Sequence, residues 1–141
     1  MADLKSLIRL RKHEVDEKQK ILSELYRQIE ALENRKNSLL EKLAHERAAL
    51  EENLTLETRE FYGRFEGAIR NDVERLDGEI AKLEVGLEKA QEDVRAAFEE
   101  QKRVEIVHDR RQEEERQAMS DKEASELDAI GIEGFRRREE N

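Results

Sequence analysis

The sequence has no cysteine, no proline and no tryptophan, and its 141 residues include only four Phe, two Tyr and six Gly. Without cysteine there is no disulfide staple, no thiol nucleophile and no thiolate metal site, while the compartment is left open. Without proline nothing interrupts a long helix in the usual way. So few large side chains do not fill an ordinary globular core. No apolar run reaches the ~20 residues of a membrane span, and "MADLKSLIRLRKHEVDEK" does not read as a secretory signal, so a cytoplasmic protein is expected.

Other chemistries are missing as well. His13, His45 and His108 each lack a second histidine at helical spacing, as a zinc helix requires. There is no glycine-rich phosphate loop and no nucleophile–base constellation, and the carboxylates occur at every helical spacing alike. The reading is therefore non-enzymatic, with no metal, cofactor or small-molecule substrate. A net charge of −9 argues against nucleic acid, although residues 1–20 are locally net +2, which reads as a solvated helix end.

What remains is charge and periodicity. Charged residues make up 45% of the chain, a composition shared by long coiled-coil helices and disordered segments. The heptads decide between them. One seam position holds Ile8, Val15, Leu22, Ile29, Lys36, Leu43 and Leu50; the other holds Leu4, Arg11, Lys18, Leu25, Leu32, Leu39 and Glu46. A second seam runs through Val73, Ile80, Leu87, Val94, Gln101 and His108, with Ile69, Leu76, Leu83, Ala90, Ala97, Val104 and Arg111 beside it. Apolar residues fill ten of fourteen and ten of thirteen of these places, which predicts two long helices.

The two seams are out of phase, and "E-N-L-T-L-E-T" between them offers turn chemistry. Asn53 can end a helix in the left-handed conformation, and Thr55 or Thr58 can cap the next. The expected fold is all-α: a long antiparallel two-helix coiled-coil hairpin with a longer second helix and a helical or frayed C-terminal tail. Its parts are a first helix over 1–53, a turn over 54–60, a second helix over 61–118 and an extension over 119–141. Seam matches seam when paired positions sum to 119 or to 112. Ser120 with Glu123 makes a capping box that could open a fresh helical segment, which Gly131 would close.

Half the aromatics crowd into "E-F-Y-G-R-F-E-G-A-I-R". Phe61, Phe65 and Ile69 recur every four residues and share a helical face, with Tyr62 adjacent. They either plug the open end of the hairpin or form an apolar patch that docks on another protein. Leu127, Ile130, Ile132 and Phe135 have no partner in the hairpin, and are either frayed terminus or a binding segment.

The layout, together with "L-K-S-L-I-R-L-R-K-H-E-V", "F-E-G-A-I-R-N-D-V-E-R-L" and "D-K-E-A-S-E-L-D-A-I", resembles the FliJ family of flagellar export proteins and the similar YscO-type proteins of virulence secretion. The resemblance implies a stalk of the type III export ATPase, whose paired chain ends enter a FliI-like ATPase ring and promote its assembly and turnover. It also implies contacts with a FlhA-like export gate and with export chaperones, and a peripheral place at the inner membrane through those proteins. Carried onto this sequence, Phe61, Tyr62, Phe65 and Ile69 are candidates for the gate contact, and Leu4, Leu7, Leu127 and Ile130 for the ring. Two other classes stay open: a structural coiled coil dimerising in parallel through one bent helix, and a prefoldin-like coiled-coil chaperone.

Overall fold

The computed structural model describes residues 4–140, which form two helices, α1 (Leu4–Glu52) and α2 (Leu56–Glu140). They make a helical hairpin with the longer helix second, so the bent single helix is not the fold.

The turn is tighter than the 54–60 expected, because two threonines start α2 early. Thr55 Oγ1 accepts from the Thr58 N–H at 3.1 Å, and Thr58 Oγ1 accepts from the Thr55 N–H at 2.9 Å. This reciprocal pair satisfies two of the donors that a helix start leaves open. Thr58 Oγ1 also lies 2.7 Å from the Asn53 carbonyl, tying the new helix to the end of the old one. The left-handed conformation expected at Asn53 is not used: no described residue has positive φ. The Asn53 N–H instead bonds the Leu50 carbonyl at 3.1 Å, tightening the last turn of α1.

Two compact units divide the chain. In Glu14–Ala97 the core comprises Val15, Ile29 and Leu43 of α1 with Ile69, Leu76, Ile80 and Ala90 of α2, and Leu76 is the deepest at 2% exposed. Burying a side chain of this size contributes about 1.5–3 kcal/mol. The Lys36 ammonium meets the Asp77 carboxylate at 2.7 Å, and the Gln91 amide donates to the Tyr26 hydroxyl at 2.9 Å.

The other unit is Met1–His13 with Phe98–Asn141. Here Gln101 and Val104 are buried, and Leu4, Leu7, Ile8 and Arg11 are half-buried. Arg11 approaches Glu100 at 3.9 Å. The buried Gln101 amide donates to Glu105 at 2.9 Å, and the Lys102 ammonium reaches the same carboxylate at 3.0 Å. These contacts hold the Glu105 carboxyl below the usual carboxylate range, the Gln101 bond contributing most and outweighing the effect of burial.

Thirteen of the fourteen α1 seam positions are buried or half-buried, Lys18 being the exception; on α2 twelve of thirteen are, Arg111 being the exception. Contacts within each unit select the register that sums to 112. Under a sum of 119 Asp77 would face Lys42, about 9 Å along α1 from the lysine it binds. Glu100 likewise would face Gln19 instead of the neighbourhood of Arg11. Tyr26 and Gln91 sum to 117 and meet obliquely, being exposed side chains long enough to reach across the offset.

Beyond His108 every described residue is exposed, yet α2 runs unbroken to Glu140. The fresh segment expected at Ser120 does not form, and Gly131 does not stop the helix. A glycine ends a helix by adopting positive φ, and none does so here. Local pairs support the tail: Glu113 with Arg116 at 2.6 Å, Glu133 with Arg137 at 3.4 Å, and Gln117 donating to Asp121 at 3.2 Å. Each contributes about 0.2–0.5 kcal/mol. Arg137 and Arg138 complement the helix dipole in the last turn.

Candidate docking surfaces

In the 14–97 unit the α2 seam continues backward from Ile69 through Phe65, Tyr62 and Thr58, in steps of four, three and four, all buried or half-buried. The seam carries Tyr62 and not Phe61. Phe61 lies beside it, 58% exposed, its ring stacked on that of Phe65 with centroids 6.2 Å apart and planes 13° from parallel. The four aromatic-cluster residues therefore differ in kind. Ile69, at 6% exposed, is core and faces no partner directly. Phe65 borders a shallow groove whose α1 wall is Ser38, Glu41, Lys42, His45 and Glu46. Tyr62 and Phe61 close a crevice against Glu46, Ala49 and Leu50.

Plug and patch coexist in this arrangement. Tyr62, Phe65 and Ile69 fill the seam below the turn, while Phe61 stands outside with Leu54 and Leu56, which are 58% and 74% exposed. Sequence reasoning passed over Leu54 and Leu56 because they fall in the turn. Two leucines in a segment otherwise rich in turn residues were the available signal. Gly63 and Gly67 are helical, with open space where a Cβ would stand. An exposed aromatic stacked on a fixed neighbour is a rigid contact of the kind that anchors interfaces.

In the other unit, Leu4 and Leu7 are half-buried on α1, whereas Leu127 and Ile130 are 68% and 67% exposed on α2. The register set by Arg11 and Glu100 puts Leu4 near His108. Leu127 lies about 28 Å further along α2, at ~1.5 Å per residue. The four residues do not form one patch; α2 presents its pair on bare helix.

No group of three or more His, Cys, Asp or Glu arranged to hold a metal occurs among the described residues. No described helix is long and apolar enough to cross a membrane.

In comparison with known families, the family described as Flagellar FliJ protein matches residues 1–140. The chain belongs to the FliJ family. No curated protein and no solved structure matches it. Membership makes this FliJ-family chain a coiled-coil protein related to flagellar export, and the helical hairpin with its longer second helix agrees with that. Membership associates the chain with the flagellar export apparatus.

Proposed function

We propose that this FliJ-family chain is a non-enzymatic stalk of a flagellar export ATPase, acting in the cytoplasm at the inner-membrane face. The carrying observation is the α2 tail, a helix that stays regular over residues 109–140 while exposing Met119, Leu127, Ile130, Ile132 and Phe135. A bare helix that sets exposed apolar side chains among charged ones suits insertion into a channel lined by other chains. Leu127 and Ile130, with Leu4 and Leu7 on α1, contact a FliI-like ring and favour its assembly and turnover. Phe61 and Phe65, positioned by Tyr62 and Ile69 beneath them, contact a FlhA-like gate, with Leu54 and Leu56 widening that surface. Export chaperones are further partners.

Calorimetric titration of the chain into the cytoplasmic domain of its cognate gate tests the second contact. Binding that is lost in Phe61→Ala with helicity intact supports it; binding unchanged in Phe61→Ala and in Phe65→Ala contradicts it.

A further inference from the structure

Glycine is divided unevenly between the two helices: α1 has none, and all six of the chain's glycines lie in α2. Gly131 and Gly134 stand in the bare end of that helix, and neither answers a need of geometry. No described glycine has positive φ, and a Cβ at either position would meet nothing within 4 Å. Alanine would fit both places and hold the helix better. Each glycine lowers the local helix–coil constant by roughly four- to fivefold relative to alanine. Within the hairpin, packing offsets this loss: Gly78 lies between the buried Leu76 and Ile80. Beyond His108 every described residue is exposed, so nothing does.

The tail itself has two parts. Residues 109–130 contain no glycine, are rich in Glu, Arg, Gln and Ala, and extend a helix that the core has already nucleated. Residues 131–140 open with "G-I-E-G-F", two glycines with the weaker helix formers Ile132 and Phe135. Their support is the Glu133–Arg137 pair at 3.4 Å and the placing of Arg137 and Arg138 at the negative end of the helix dipole, which Glu139 and Glu140 oppose. Good helix formers propagate with a constant of only about 1–1.6 near 0 °C, so the residues after Gly134 do not recover the loss. We propose that Gly131 and Gly134 set a break in α2, so that in the free chain residues 131–140 exchange between helix and coil and are mostly unwound. The continuous helix is the form that contact with a partner selects. Ile132 and Phe135, 62% and 63% exposed, then become ordered on binding, and the fraction already helical scales the affinity of whatever binds them. Leu127 and Ile130 lie before the break and keep their helical face. In the ring reading given above, the two glycines weaken the hold on the tail and ease its release; only this consequence rests on that reading.

Backbone NMR of the full free chain tests the break without any partner, and so independently of the ring. The Cα carbon shifts are helical through residues 109–130 and fall to near coil values from Gly131 onward. Gly131→Ala combined with Gly134→Ala raises the helix–coil constant of the segment by roughly fifteen- to thirtyfold, which turns a mostly unwound end into a mostly helical one through Phe135. Gly78→Ala, the same change inside the packed hairpin, leaves the end unwound. Fully helical shifts through Phe135 in the native chain overturn the proposal. So does coil that already begins at Asp109, or an alanine pair that leaves the end unwound.

Discussion

Phe61 stacks on Phe65 with ring centroids 6.2 Å apart, yet only Phe65 lies on the seam that packs toward α1. This separates binding from folding at adjacent residues. Phe61→Ala removes an exposed ring and one stack, so it costs under about 1.5 kcal/mol of stability. Ile69→Ala empties a core position that is 6% exposed and costs about 2–5 kcal/mol. Chemical denaturation of both variants measures the contrast. Equal losses contradict the division of the cluster into anchor and plug.

The register is open to a direct chemical test because the chain has no cysteine of its own. Leu39→Cys with Val73→Cys places two thiols opposite each other in the observed register, and mild oxidation closes an intramolecular disulfide. Leu39→Cys with Ile80→Cys places them about 10 Å apart along the helices, beyond disulfide reach. Non-reducing mass spectrometry distinguishes the two outcomes.

Thr58 accepts from the Thr55 N–H and reaches back to the Asn53 carbonyl. Thr58→Ala loses both, at a cost of about 0.5–2 kcal/mol. Hydrogen exchange accelerates first at the amides of residues 55–58. An unchanged exchange rate there contradicts the capping role.

Glu105 gives the hairpin an acid sensitivity. Its carboxyl is held below the usual range chiefly by the Gln101 amide, so it stabilises the fold above the ordinary carboxylate pKa. That contribution is lost as pH falls through the depressed folded value. Gln101→Leu removes the main cause. Carbon-detected NMR titration then finds the Glu105 pKa moved up toward its ordinary value. The change in melting temperature between about pH 3 and neutrality becomes smaller than in the native chain.

The seams were legible because heptads bury one stripe in any helical pairing, and the observed burial follows them almost position by position. Lys18 and Arg111 are the exposed exceptions, and in the 112 register Arg111 falls past the start of α1 at Leu4. The register was not legible. Both alignments matched apolar with apolar, and the deciding partners, Asp77 and Glu100, lie off the seam among many other acids. The start of α2 was misplaced because a Thr-x-x-Thr cap is a weaker signature than Ser or Thr with Glu. The spacing of four puts Phe61 on one face with Phe65 and Ile69, as plug or as patch. Counting backward from Ile69 in alternating steps leads to Tyr62 instead.

The central claim is that the chain acts on an export ATPase. Its most direct test adds the purified hairpin to the cognate ATPase and follows ATP turnover against concentration, with ring formation read by sedimentation. The account predicts stimulation that saturates below one chain per ATPase subunit, and its loss in a Leu127→Glu, Ile130→Glu variant of unchanged helicity. Turnover and assembly indifferent to the hairpin at every concentration, with the ATPase otherwise active, would contradict it.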